Sequence, residues 1–250
     1  MFVKKKSKIE KMFNVLAYTS VVAVMMLESA HAQDSASRDV LERYGNLNVT
    51  REGPTIDAEL AQKMFRRGNT YSNLQRYDEA IEEYRKAISA DPNHSAAIRN
   101  LANTYYFLER YDETKPLLAR FIELEDAESA ALIAAVATLG ELERQSRNFE
   151  VSIGYDLRAI ELDPNNDSQI HIMANTYNNA GEADKAIDVY RAGIEVMPDN
   201  AFFFRSLGRI LEEEGRLEEA LSEYIAAAER NPDSGFYVNL VDSTRRRLEN

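Results

Sequence analysis

Cysteine is absent from the 250 residues, which excludes a disulfide framework, thiol catalysis and any cysteine-based metal site. Histidine is scarce: of three, His31 falls in the N-terminal segment, His94 in a turn pattern, and His171 stands alone. There is no glycine-rich phosphate loop, no His-Glu-x-x-His and no Gly-x-Ser-x-Gly. No catalytic set can be assembled, so a non-enzymatic protein with no cofactor and no metal is expected. Long apolar runs are missing as well. The mostly apolar stretch from Met12 to Leu27 has 16 residues and contains Asn14, Tyr18 and Thr19, short of the roughly 20 that a membrane-spanning helix needs.

Lys4, Lys5, Lys6, Lys8 and Lys11 precede that stretch, and Ala30-His31-Ala32 after it puts small residues at both places that cleavage recognition uses. Residues 1–32 therefore read as a secretory signal cut after Ala32; the competing reading is an uncleaved membrane anchor. No cysteine follows the apolar stretch, which excludes lipid attachment of the bacterial lipoprotein kind. The bacterial style of the segment predicts an exported, periplasmic protein. The whole chain has 30 basic and 42 acidic residues, net −12; without residues 1–32 it has 25 and 40, net −15. A surface that acidic repels phosphate backbones, so nucleic acid is not an expected partner. Residues 33–55 are polar, with Ser35, Ser37, Asn46, Asn48, Gly53 and Pro54. They predict a flexible arm, or a segment that folds onto a partner or onto the protein's own groove.

Residues 56–250 are periodic. Pro164, Pro198 and Pro232 lie 34 residues apart, as do Ala186 and Ala220, and Tyr190 and Tyr224. Ala80 precedes Ala186 by 106, three periods plus four, so five copies fit with four extra residues in the middle. At helical spacing, Met64, Gly68, Tyr71, Ala80, Tyr84, Ala87 and Pro92 occupy the large, small, aromatic, small, aromatic, small and proline places of a tetratricopeptide repeat. Arg67 stands in its leucine place. On these residues the chain resembles the tetratricopeptide-repeat family, in an exported bacterial form. The resemblance implies an all-α fold, a right-handed α-solenoid of about five helix hairpins plus a C-terminal capping helix. A hairpin cannot bury its apolar stripes alone, so small residues let helices approach while large ones fill the gaps between neighbours.

The copies fall at about 61–94, 95–128, 133–166, 167–200 and 201–234, with the capping helix at 235–249. The first predicts helices over Ile56–Leu74 and Asp78–Ala90. Repeat two has Thr114 in the alanine place, Asp126 in the proline place, and Pro116 at the start of its second helix, where a missing amide costs little. Asp126 is expected to cap a first helix of repeat three about one turn longer than its siblings. Repeat three is the weakest copy, with Glu143 and Asp156 in the two aromatic places. Drift accounts for that, or else a distorted middle repeat that serves as a docking ledge. The last helix is expected to turn Val238 and Val241 inward and Arg245, Arg246 and Arg247 outward.

In the family, peptides bind in extended form on a concave surface lined by the first helix of each pair, and the resemblance implies the same surface here. Its candidate peptide-binding residues are Asn69, Asn73, Arg99, Asn103, Tyr106, Phe107, Arg144, His171, Asn175, Asn178, Arg205 and Arg209. Arg99, Arg144, Arg205 and Arg209 against Glu141, Glu212 and Glu213 give that surface +1, or +3 with Arg246 and Arg247, in a protein of net −15. Such a surface suits an acidic or C-terminal carboxylate ligand held by guanidinium groups; the plainer reading pairs the arginines with neighbouring acids. Asn69, Asn103 and Asn175 recur at one place in three repeats, where amides can hold a peptide backbone or merely bind water and helix turns. Tyr106, Phe107, Phe202 and Phe236 are candidate aromatic anchors, and Phe203 is an anchor or core. The carboxylate clamp of chaperone-binding members is similar in part, through Arg99 with Asn103 and Asn100. Phe65, Ala134 and Thr138 depart from it, so that specificity is not carried over. The expected function is a periplasmic adaptor or scaffold that binds an extended or C-terminal segment of a protein partner. It would assist assembly of an envelope complex for secretion, pilus formation or polysaccharide export. The alternative is a membrane-anchored spacer or oligomerisation element acting through its convex face.

Overall fold

The computed structural model describes residues 56–125 and 129–249. The expected signal (1–32), the arm (33–55) and Asp126 lie outside the described residues. Regular structure among the described residues is helical throughout: α1 (Ala58–Asn73), α2 (Tyr77–Ala90), α3 (Ser95–Phe107), α4 (Tyr111–Leu124), α5 (Ala130–Gln145), α6 (Phe149–Leu162), α7 (Asp167–Asn179), α8 (Ala183–Val196), α9 (Ala201–Glu213), α10 (Leu217–Arg230) and α11 (Gly235–Leu248). None of these helices is long and apolar enough to cross a membrane. The chain divides into two compact units between Tyr155 and Asp156, within α6. In the first unit α1 packs on α2, α2 on α3, α3 on α4 and α4 on α5. In the second, α7 packs on α8, α8 on α9, α9 on α10 and α10 on α11.

One device turns the chain inside every hairpin. Gln75, Glu109 and Arg147 at φ 59°, 58° and 61°, and Gly181 and Gly215 at 83° and 76°, adopt the left-handed conformation. This lets the next amide reach back across the helix end: Arg76 N–H donates to Tyr71 O at 2.9 Å, Arg110 to Tyr105 at 2.9 Å and Arg216 to Leu211 at 2.8 Å. These turns are 34, 38, 34 and 34 residues apart, which places the four extra residues between the second and third. Three of them lengthen α5, which has 16 residues against 13 in α3, α7 and α9. The fourth lengthens the α4–α5 connection, residues 125–129, relative to the four-residue connections at 91–94 and 163–166. The helix is longer than three of its siblings, as expected, but equals α1, which also has 16 residues. Its cap is Ser129, not Asp126, because the helix starts at Ala130 and Ser129 Oγ accepts from Leu132 N at 3.1 Å.

The helices of a pair approach through glycine. A Cβ added at Gly68 would lie 2.5 Å from the Tyr84 ring, and one at Gly208 would lie 2.6 Å from the Tyr224 ring. In repeat one, Ala61, Ala80 and Ala87 are fully buried as well. Departures from the pattern find local partners. Arg67 in the leucine place sets its Nε 3.2 Å from the carboxylate of buried Glu83, which Lys86 also binds at 2.9 Å. In repeat three, Glu143 binds Lys115 Nζ at 3.1 Å and accepts from Asn148 Nδ2 at 2.7 Å. Asp156, 1% exposed, accepts from Gln169 Nε2 at 3.1 Å and Thr176 Oγ1 at 2.9 Å.

Two local expectations are corrected. Pro116 is the sixth residue of α4, beyond the turn whose amides are free, since Thr114 N–H already donates to Arg110 O at 3.1 Å. The ring therefore removes a helix hydrogen bond. Val238 is exposed; Val241 and Thr244 form the buried stripe of α11, one turn further on. Arg245, Arg246 and Arg247 face outward as expected.

Candidate functional site

α1 and α3 are the first helices of consecutive hairpins. Between them lies a cleft of about 530 Å³ lined by Asn69, Ser72, Asn73, Asn100, Asn103 and Thr104, with the rings of Tyr77, Tyr84 and Phe107. Asn69 Oδ1 accepts from Tyr84 Oη at 2.9 Å and from Asn100 Nδ2 at 2.8 Å. That fixes the amide and leaves its Nδ2 donors without a partner among the described residues. Burial raises the pKa of the Tyr84 hydroxyl against hydrogen bonding with Asn100 and Ser72, so it remains a donor. Phe107 is 65% exposed and its ring lies 4.9 Å from that of Tyr77. No lining residue is charged at neutral pH. The wall thus offers amide donors and acceptors beside the exposed Phe107 ring and the half-buried Tyr77, which suits main chain and an apolar side chain.

In the second unit, α7, α8 and α9 build a different surface. Arg209 donates Nη2 to Asn175 Oδ1 at 3.2 Å and Nη1 to Glu213 at 2.6 Å. With its oxygen held by Arg209, Asn175 turns Nδ2 to His171 Nε2 at 2.9 Å. Nε2 must then accept, so the ring proton sits on Nδ1 and is donated to Tyr190 Oη at 2.5 Å. His171 is held below its ordinary pKa by burial first, then by Arg205 and Arg209, against an opposing pull from Asp167. Asn178 donates to Glu213 at 3.2 Å, and the His171 ring stands edge-on to Phe202 at 4.5 Å.

The structure brings Asn69, Asn73, Asn103 and Phe107 into one cleft, and joins His171, Asn175, Asn178 and Arg209 through hydrogen bonds in the other unit. Tyr106 turns to the Tyr111 ring at 5.8 Å instead, and Arg99 lies 5.9 Å from the Phe121 ring. Arg144 pairs with Glu141 at 2.7 Å and donates to Ser152 Oγ at 3.1 Å. Phe203 is fully buried core. Tyr77, Tyr84 and Thr104 were not among the expected lining residues. The signal for Tyr84 was Gly68, whose missing side chain lets the ring pass to Asn69.

One tetratricopeptide-repeat family model matches residues 62–94 and another matches residues 173–235. No curated protein matches the chain. Among solved structures, a crystal structure of MamA protein is 26% identical, covering 72% of this chain and 96% of that one at a TM-score of 0.56. YrrB, described as a TPR protein with an unusual peptide-binding site, is 22% identical over 73% of this chain and 92% of its own, at 0.55. A structure of MamA AMB-1 is 22% identical, covering 72% and 97% of the two chains at 0.53. The two family matches cover stretches of one 34-residue periodicity, carried by helix hairpins whose turns lie 34 residues apart except for one interval of 38, and the chain is accordingly a tetratricopeptide-repeat protein with the all-α solenoid fold of that family.

Proposed function

We propose that this protein is a non-enzymatic adaptor that holds an extended segment of a protein partner in the α1–α3 cleft. The observation that carries the reading is the uncharged wall of Asn69, Asn73, Asn100 and Asn103 beside the exposed ring of Phe107, in a chain of net −12. Amides bond to a peptide backbone whatever its side chains, while Phe107 and Tyr77 offer a seat for one apolar residue. The peptide-binding site of YrrB, which shares the fold, supports the same use here. NMR titration with uncharged peptides carrying one aromatic residue tests this. Shifts should cluster on the side-chain amides of the cleft, and Asn69→Ala with Asn103→Ala should weaken binding about tenfold or more. Shifts that avoid α1 and α3, or a double variant that binds as the parent does, would refute it.

The adaptor acts in the periplasm, where it helps assemble an envelope complex such as a secretion, pilus or polysaccharide-export machine. Support for export comes from the basic head, the 16-residue apolar stretch and the small residues Ala30 and Ala32. N-terminal sequencing of the protein from a fractionated cell should begin at Gln33 in the periplasmic fraction. A cytosolic chain beginning at Met1 would remove the proposal of export while leaving the cleft untouched.

A further inference from the structure

Arg205 on α9 differs from the arginines around it. Its guanidinium carbon lies 4.6 Å over the ring of Phe202 and 6.0 Å from the ring of Phe236, which belongs to α11. Nη2 donates to the neighbouring Ser206 Oγ at 3.3 Å, while Nε is buried with no acceptor. No carboxylate pairs with Arg205 among the described residues. The nearby acids are already engaged: Glu213 binds Arg209 and accepts from Asn178, and Glu212 pairs with Arg247 and accepts from Tyr224 Oη at 2.6 Å. The surface therefore carries a guanidinium with a buried, unsatisfied donor and no counter-ion, beside a 55%-exposed aromatic ring. Burial keeps Nε from an incoming ligand, so what the guanidinium offers is its Nη1–Nη2 end, with its charge uncompensated.

We infer that Arg205, walled by Phe202 and Phe236, is a recognition subsite for a carboxylate of a partner polypeptide that has an aromatic or apolar side chain next to it. Rings over the guanidinium face leave its Nη1–Nη2 end for the ligand, and that end matches a planar carboxylate with two parallel N–H donors. A phosphate dianion would call for a second free cation, and Arg209 and Arg247 are paired. Phe236 supplies an exposed surface for the adjoining side chain. Burial is the main cause of the lowered pKa of His171, and the smaller contributions of Arg205 and Arg209 fit a locally positive surface. This subsite lies in the second unit and does not depend on the amide cleft of the first.

Calorimetry and His171 ring-proton titration on the protein carrying residues 33–250 test the inference with four probes. These are acetyl-Gly-Gly-Phe as the free acid, the same peptide as its amide, acetyl-Gly-Glu-Phe amide, and inorganic phosphate. The free acid or the glutamyl peptide should bind and raise the pKa of His171, since the bound anion offsets Arg205. Which of the two binds distinguishes a C-terminal from a side-chain carboxylate. The amide lacking any carboxylate can still enter the α1–α3 cleft, but it should leave the His171 titration unmoved. Arg205→Gln should weaken the carboxylate peptides about tenfold or more, and Phe236→Ala, at an exposed position, should weaken them several-fold while the fold is kept. The His171 response should persist in Asn69→Ala with Asn103→Ala, which removes the cleft's share of the binding and so separates the two sites. An equal effect of acid and amide on the His171 titration, phosphate competing as well as the peptides, no effect of either carboxylate peptide, or an unchanged response in both the Arg205 and Phe236 variants would each overturn it.

Discussion

In repeats one and five a tyrosine ring closes on a glycine, Tyr84 on Gly68 and Tyr224 on Gly208. In repeat three the aromatic places hold Glu143 and Asp156, both buried, each with its own hydrogen-bonding partners. The two interiors solve one packing problem by different means. The ring fills space and delivers its hydroxyl to the face of the first helices: Tyr84 to Asn69, Tyr190 to His171, Tyr224 to Glu212. The acids direct their polar atoms to the adjoining hairpins, Glu143 to Lys115 of α4 and Asp156 to Gln169 and Thr176 of α7. A tyrosine in that place thus builds both the core and the candidate binding surface, whereas an aspartate builds only the core.

The comparison predicts different sensitivities, measured as urea midpoints by far-ultraviolet circular dichroism. Glu143→Ala should cost the most, about 3–5 kcal/mol, because it leaves Lys115, 12% exposed, with no carboxylate. Replacing both, as Glu143→Leu with Lys115→Met, should recover most of that loss, since an apolar pair avoids the desolvation of two charges. If Glu143→Ala costs nothing, the pair is not structural and the distinction between the interiors fails. Next is Gly68→Ala, at about 1–3 kcal/mol: the new methyl meets a ring carbon at 2.5 Å, and buried Tyr84 has little room to yield. Asp156→Asn should cost about 1–2 kcal/mol, because one of two accepting oxygens becomes a donor facing Gln169 or Thr176. The same stability in Asp156→Asn as in the parent would mean that the two hydrogen bonds have no net value.

Periodicity made the repeats legible, and the four-residue excess was visible as a count. Its location was not fully visible, because Ser129 and Asp126 are both good caps and only the start of α5 at Ala130 decides between them. The acids in repeat three were visible as departures. Their partners were not, since Lys115 is 28 positions from Glu143 and its approach depends on α4 packing against α5. At the site, the recurring place of Asn69 and Asn103 pointed to the cleft, because both lie on first helices. Tyr77 and Tyr84 lie on the second helix and enter through space that a pattern by helix face does not reveal. For Arg144 and Arg209 the plainer reading of neighbouring acids holds, at 2.7 Å and 2.6 Å; neither Arg99, over the Phe121 ring, nor Arg205 pairs with a carboxylate among the described residues.

The smallest effect separates the two candidate surfaces by pH. The first cleft holds no group that titrates near neutrality, whereas the second surface holds His171. Protonating Nε2 would set an N–H against the Asn175 amide, whose orientation Arg209 fixes, and burial with Arg205 and Arg209 opposes the added charge over the attraction of Asp167. The folded pKa is therefore below the unfolded value of about 6.5. As pH falls through that value the unfolded chain gains a proton that the folded chain refuses, so stability declines until the folded pKa is passed; above it this residue contributes no slope. Urea midpoints at pH 7.5 and 5.5 should show this decline in the parent, less of it in Arg209→Gln and none of it in His171→Gln. Arg209→Gln should also raise the pKa of His171, because it removes both a positive charge and the group that orients Asn175. A His171 that titrates at its ordinary value in the parent would show that the Arg209–Asn175–His171 chain does not hold the ring neutral.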